Sequence, residues 1–246
     1  MRVIIPAAGL GTRLQPFTET SSKALVPIGE QALIAYTMAF LNRLGIADVV
    51  VVLGHHGEAL RASLLALDER PELLFVSNPI YASTNSVYSL FLTTHLWTDD
   101  LCVIDSDVLA SPGLLARLVE PGPSALVVDT DRSYAASDMK VEMRGGTIWH
   151  MDKGLGPEVH HGEFFGLSRW SGKGSELLRI ALDEYIAEGR SDVWYEFPIR
   201  DVAKRTPLVV IGASQDEWAE IDRAEDIPVA ERLVQRLAEE HYGRIG

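Results

Sequence analysis

The chain has a single cysteine, Cys102, so no intrachain disulfide can staple it. That residue lies in the apolar run 101–104 and reads as a small buried hydrophobe. Positive charge is scarce as well. Lys and Arg number 22 against 35 Asp and Glu, for a formal net charge of −13. Such a balance excludes a broad nucleic-acid or anionic-membrane surface. An anionic ligand must instead be drawn in by a local cluster of cations or by metal ions. Long apolar runs are also missing, so no segment reads as a bilayer span. The first residues turn polar by position 12, which leaves no secretory core segment. The expected compartment is the cytoplasm, with neither nucleic acid nor membrane as partner. Repeats and low-complexity segments are absent, and no shift in composition marks a linker.

What is present describes an ordinary globular protein. The 246 residues are 47% hydrophobic and 23% charged, enough for one α/β domain with a self-sufficient core. Runs rich in Val, Ile and Leu at 3–5, 49–53, 73–76, 101–104 and 125–128 predict buried strands. Between them, 32–44, 56–67, 86–96 and 114–119 show helical periodicity. Leu33, Ile34, Met38, Leu41 and Leu44 repeat at about 3.6 residues and stop at Gly45. Continuous apolar strands separated by helices predict a mostly parallel mixed sheet covered on both faces. After about Asp131 the strands come closer together, at 139–143, 147–151 and 163–170, with Gly145-Gly146 as a hairpin turn. A helix at 176–187, a segment at 193–204, strands at 208–211 and 218–221, and a helix at 224–240 follow. A single domain is expected, with 1–130 its parallel part, 131–222 a more antiparallel subregion and 223–246 a C-terminal helix.

The first strand runs into Ala7-Ala8-Gly9-Leu10-Gly11-Thr12-Arg13-Leu14. Gly9 and Gly11 carry no Cβ, so backbone N–H groups there can come close to a ligand. Arg13 and Lys23 add two cations, and such a loop at a strand's carboxyl end suits phosphate. It is not the dinucleotide fingerprint, whose third glycine position is Leu14 here and whose later acid is missing. Nor is it a Walker loop, since Gly11-Thr12-Arg13 lacks the Gly-Lys-Ser/Thr ending. Two further strands deliver acids. Asp105 and Asp107 follow the run 101–104, and Asp222 follows 218–221. A lone Asp there is usually a turn or cap residue. Beside a phosphate loop, Asp107 and Asp222 read as ligands of Mg²⁺, which takes one or two carboxylates and fills the rest with phosphate oxygens and water.

These motifs together resemble the nucleotidyltransferases related to sugar-1-phosphate nucleotidylyltransferases. The run Ala7 to Thr18 and the stretch Lys23-Ala24-Leu25-Val26-Pro27-Ile28 carry the likeness, with Ser22 where the family usually has Pro. Residues Ser83-Thr84-Asn85-Ser86-Val87-Tyr88-Ser89-Leu90, Ile104-Asp105-Ser106-Asp107-Val108 and Glu220 to Asp226 are similar to the phosphocholine and phosphonate cytidylyltransferase branch. The resemblance implies the three-layer nucleotide-diphospho-sugar transferase fold. It places Asp107 and Asp222 on metal-ligand positions and Ala8, Gly9, Gly11, Thr12, Arg13 and Lys23 on triphosphate-binding ones. Thr84 and Asn85 border the nucleoside, Ser86 replaces the family's second Asn, and Asp105 stands beside the nucleotide. Lys153 falls near a family lysine that meets phosphate groups.

The activity implied is Mg²⁺-dependent transfer of CMP from CTP to a small phosphate or phosphonate, with pyrophosphate released. Arg13, Lys23 and Lys153 are the expected catalytic cations. A phosphate dianion needs no general base, which agrees with the lack of a nucleophilic dyad. Trp194 and Tyr195 are the first candidates for a cage around a choline group. Asp192 and Glu196 nearby would suit a primary amine such as that of 2-aminoethylphosphonate. A hydroxyl-bearing phosphonate or polyol phosphate stays open, as does a homo-oligomer. The rival readings are a sugar-1-phosphate nucleotidylyltransferase using UTP, GTP or dTTP, and a catalytically silent nucleotide-binding subunit. The pairs His55-His56 and His160-His161 are discounted as metal ligands, because neighbours on a regular element diverge.

Overall fold

The structure is a computed structural model that describes residues 1–131, 138–159 and 161–243. His160 therefore lies outside the described residues. In chain order the amino-terminal part holds strand β1 (Arg2–Ala7), helix α1 (Phe17–Thr20), the short strands β2 (Pro27–Ile28) and β3 (Gln31–Ala32), and α2 (Leu33–Arg43). Next come β4 (Asp48–Leu53), α3 (Gly57–Leu65), β5 (Glu72–Ser77), α4 (Ser86–Phe91), β6 (Asp100–Ile104), β7 (Val108–Ala110), α5 (Pro112–Val119) and β8 (Ala125–Asp129). The rest comprises β9 (Met139–Arg144), β10 (Thr147–Met151), β11 (Gly162–Ser171), α6 (Gly172–Ala187), α7 (Glu196–Ala203), β12 (Val209–Ala213), β13 (Trp218–Glu220) and α8 (Ile227–Gly243). No helix among the described residues is long and apolar enough to cross a membrane.

Nine strands form one sheet in the order β5-β4-β1-β6-β11-β8-β12-β10-β9. β5, β4, β1 and β6 run parallel, as does the pair β8 and β12. β11 is antiparallel to both β6 and β8, and β10 is antiparallel to β12 and β9. The expected mostly parallel mixed sheet is thus present, with the antiparallel pairs in the later strands. The Gly145-Gly146 turn joins β9 to β10 with φ of 57° and 78°, the left-handed pair a tight hairpin needs.

Alternation along the strands splits the interior in two. β1 sends Val3 and Ile5 to one face and Ile4 to the other, and β4 divides Val49 and Val51 from Val50 in the same way. On the first face Ile34, Met38 and Leu41 of α2, Leu60 and Leu64 of α3, and Leu114, Leu115 and Leu118 of α5 cover the sheet. The second face is covered by Val87 and Leu90 of α4, Leu178, Ala181 and Leu182 of α6, and Ile199 and Val202 of α7. This is the helix–sheet–helix arrangement that strands apolar on both sides demand, each fully buried Leu or Ile contributing about 1.5–3 kcal/mol.

A third core positions the loop ends. Leu14, Val26, Ile28 and Leu33 pack with Leu109, Ala219 and Ile221, and Ala230 and Leu233 of α8 close it. Leu14 and Ile221 are the chain neighbours of Arg13 and Asp222, so burying them brings those two charges together. β7 and β13, a separate two-stranded ladder, pair Val108 with Glu220, and Ile221 N–H donates to the Asp107 carbonyl at 2.9 Å. β2, β3 and β7 are too short for their pattern to stand out in the sequence.

Strand β11 shifts register between Phe164 and Ser168 against β8. Gly166 sits inside that irregularity with φ of +91°, and a Cβ there would lie 2.3 Å from Asp105 Oδ2. Gly166→Ala is expected to lower unfolding free energy by about 2 kcal/mol or more, because strain and a steric clash add. Urea titration of both proteins measures it, and an unchanged midpoint contradicts the packing described. Cys102 is fully buried, and burial pushes its thiol up to about 12. Iodoacetamide at neutral pH should leave the folded protein unmodified and label it in denaturant; mass spectrometry of native samples showing alkylation would refute that burial.

Candidate active site

A cavity of about 410 Å³ opens at the carboxyl ends of β1 and β6, the size of an ordinary ligand pocket. Its wall includes Ala8, Gly9, Gly11, Thr12 and Arg13 from the loop after β1, followed by Lys23. Gly11 takes φ of +62°, its carbonyl accepts the Thr18 hydroxyl at 2.8 Å, and Leu14 N–H donates back to it at 2.9 Å. The Ala8 carbonyl accepts His55 N–H at 3.1 Å, which ties the loop to the turn after β4. His55 and His56 do not diverge as expected. Their rings meet at 4.1 Å, and they contact the Thr18 and Glu19 carbonyls. His56 has φ of 50°, so the two do not sit on a regular element and the parity argument fails.

The acids converge opposite this loop. Lys23 Nζ donates to Asp107 Oδ2 at 2.6 Å and to Asp222 Oδ1 at 2.5 Å, and Arg13 Nη1 lies 2.6 Å from Asp222 Oδ2. Burial alone would lower the Lys23 pKa, but Asp107 and Asp222 override it and hold the ammonium firmly charged. Sequence reasoning missed Glu220. Asp107, Glu220 and Asp222 each offer an oxygen, all within 4.8 Å of one another. Burial, with Asp107 and Asp222 adding to it, pushes the Glu220 carboxyl up to about 8. The signal was available, because Glu220 stands two residues before Asp222 on an extended chain and shares its side. Three oxygen donors at this spacing suit a hard divalent cation.

The remaining wall mixes nucleoside-side and acceptor-side candidates. Thr84 and Asn85 line it, and both are held in place: Asn78 Nδ2 donates to Thr84 Oγ1 at 3.1 Å, and Asn85 Oδ1 caps α4 by accepting Ser86 N–H at 2.8 Å. Ser86 Oγ in turn accepts Tyr195 N–H at 3.0 Å. Asp105 is half-buried on the cavity wall and accepts the Tyr195 hydroxyl at 2.9 Å. Burial raises both pKa values well above normal, with Asp107 adding to the rise at Asp105 and Asp105 to that at Tyr195. Lys153 lines the cavity with Nζ 3.9 Å above the Trp194 ring. Its turn is stapled from two sides, by Lys140 Nζ on the Lys153 carbonyl at 2.7 Å and by Arg200 on Asp152 at 3.0 Å.

Tyr195 is a correction. It is 1% exposed, belongs to the second core and does not line the cavity, whereas Trp194 is 41% exposed on the wall. Tyr195 supports Asp105 from behind and offers no ring face to a ligand. Among the other tryptophans of this half, Trp170 is fully buried, Trp218 stacks on Phe165 at 3.7 Å, and Trp149 lies outside the wall beneath Arg144. Ser168 is fully buried in β11 and offers no hydroxyl to the cavity.

The chain is similar to known cytidylyltransferases. The choline-phosphate cytidylyltransferase of Streptococcus pneumoniae is 27% identical over 96% of this chain and 99% of its own length. The 2-aminoethylphosphonate cytidylyltransferase of Lancefieldella rimae is 24% identical over 91% of this chain and 89% of its own. Among solved structures, the CTP:phosphocholine cytidylyltransferase from Streptococcus pneumoniae superposes with a TM-score of 0.78 at 25% identity, covering 95% of this chain and 98% of that one. The family model for the MobA-like NTP transferase domain matches residues 3–160, and the chain belongs to that family of nucleotidyltransferase enzymes.

Proposed function

We propose that the protein transfers CMP from CTP to a small phosphate or phosphonate acceptor and releases pyrophosphate. The observation that carries this reading is the meeting of Arg13, Lys23, Asp107, Glu220 and Asp222 in one cavity beside the Gly11 loop. The cytidylyltransferase names of the full-length relatives support CTP as donor, and the acceptors in those names support phosphocholine or an aminoalkylphosphonate. Residues 1–130 then serve mainly the nucleotide and 131–222 mainly the acceptor, while Ala230 and Leu233 of α8 pack against the core beneath the loop ends. A CTP-consuming reaction fits the cytoplasm.

An oxygen of the acceptor's phosphate or phosphonate attacks the α-phosphorus of CTP. As that P–O bond forms, the bond from the α-phosphorus to the bridging oxygen breaks, and pyrophosphate leaves with its electron pair. The dianionic oxygen needs no proton removed, so the residues' task is alignment and charge neutralisation. Asp107, Glu220 and Asp222 would hold Mg²⁺, which when bound supplies positive charge against the triphosphate. The backbone of residues 8–12 cradles the phosphates. Arg13 and Lys23 hold the β- and γ-phosphates and stabilise the departing pyrophosphate. Lys153 screens the repulsion between acceptor and nucleotide, and Lys140 and Arg200 keep its turn in place. Thr84 and Asn85 border the nucleoside.

Asp107→Asn and Asp222→Asn are each expected to cut kcat by about 100-fold or more while leaving the circular dichroism spectrum unchanged. Full turnover in either purified variant sinks the metal assignment. Lys23→Ala should lose a similar factor, whereas Lys173→Ala on the exposed start of α6 should lose none; equal losses would remove any special place for Lys23. A pyrophosphate-release screen of four NTPs against phosphocholine, 2-aminoethylphosphonate, 2-hydroxyethylphosphonate and sugar phosphates should respond to CTP with a non-sugar acceptor. Activity confined to sugar phosphates overturns the reading.

A further inference from the structure

Seven carboxylates and three cations line the cavity among the described residues. A triphosphate and an acceptor phosphate account for the cations Arg13, Lys23 and Lys153. Asp107 and Asp222 already hold Lys23 and fit a divalent ion together with Glu220. Asp105 accepts the Tyr195 hydroxyl. Glu196 is different. It opens α7 on the cavity wall, and its Oε2 is sealed from solvent with no hydrogen-bond donor. A carboxylate oxygen buried without a donor is costly, and such an atom in a binding cavity marks a place where a ligand donor belongs.

We propose that Glu196 receives the primary ammonium of the acceptor, so that the acceptor is an ω-aminoalkyl phosphate or phosphonate rather than a trimethylammonium compound. This rests on the cytidylyltransferase reading above. A primary ammonium brings both the missing N–H donor and the missing charge. A trimethylammonium group has no N–H and would leave Oε2 unsatisfied; it is bound instead by free aromatic faces. Neither aromatic first expected to form a cage supplies one. Tyr195 is buried behind Asp105, and the Trp194 ring already carries Lys153 Nζ at 3.9 Å. A hydroxyl-bearing acceptor would give a donor but no charge against the acidic wall. Burial pushes the Glu196 carboxyl up to about 7, with its own backbone N–H and then Lys153 working against the rise, and an ammonium at Oε2 would draw it back down.

The test uses the full chain with CTP and Mg²⁺ and measures kcat/KM by pyrophosphate release. Acceptors are phosphoethanolamine, 2-aminoethylphosphonate, 2-hydroxyethylphosphonate and phosphocholine. Wild-type enzyme should favour phosphoethanolamine over phosphocholine, and 2-aminoethylphosphonate over 2-hydroxyethylphosphonate, by about 30-fold or more, the usual gap when a buried group loses its charged donor. Glu196→Gln should narrow both ratios by at least about tenfold, mainly through KM for the amine. Phosphocholine used as well as phosphoethanolamine, or ratios unchanged in Glu196→Gln, overturns the proposal. The wild-type ratios decide it even where the variant does not fold. Turnover of CTP with phosphocholine alone sinks this inference and keeps the parent reading, whereas turnover with sugar phosphates alone sinks both.

Discussion

Three charged side chains from distant parts of the chain meet at Lys23. Its ammonium bridges Asp107 and Asp222, 84 and 199 positions away in sequence. Without a cation between them, two carboxylates and the nearby Glu220 would repel across a partly buried space. The folded chain assembles this cluster because apolar neighbours are buried around it. Leu14 and Ile221 enter one core, Val108 pairs with Glu220, and the acids are carried inward by strands that have little choice of register. Hydrophobic burial thus sets the positions of charges that would not come together by themselves.

The same logic accounts for the two sides of the cavity. The nucleotide side is built on parallel strands with fully buried Val and Ile runs, which fix the loop after β1 to within hydrogen-bond reach of the turn after β4. On the side proposed for the acceptor, antiparallel strands and short turns carry the cavity-lining groups, and these turns are stapled by side chains. Lys140 and Arg200 hold the turn of Lys153, and Tyr195 and Gly166 pack against the Asp105 carboxylate. In the proposed reaction, strand-anchored backbone would serve the part common to any nucleotide, and side-chain staples the part where acceptors differ, since they can be exchanged without rebuilding a strand.

Much of the architecture was legible in the sequence because strands buried on both faces write themselves as unbroken β-branched runs. The helices were legible where the apolar period was sustained, as in α2. The loop and the acids Asp107 and Asp222 were legible because motif spacing puts them at strand ends, and the cavity does gather them. Glu220 was overlooked although its parity with Asp222 was there to read. Trp194 and Tyr195 could not be told apart, since α7 begins only at Glu196 and no periodicity before it says which ring turns inward. His55 and His56 misled for a related reason: a left-handed residue at 56 breaks the alternation that made divergence plausible. The 86–96 stretch likewise read as one helix, yet α4 ends at Phe91 and a separate short turn follows at Thr94–Leu96.

The bridge from Lys23 to Asp222 has a bearing on how the protein is made. Translation delivers Lys23 first, Asp107 next and Asp222 last of the three. Until residue 222 leaves the ribosome, the nascent polypeptide holds a phosphate loop and Asp107 without the pair of acids, Glu220 and Asp222, that complete the cluster. A growing chain therefore carries this charge cluster incomplete until its last acid has emerged.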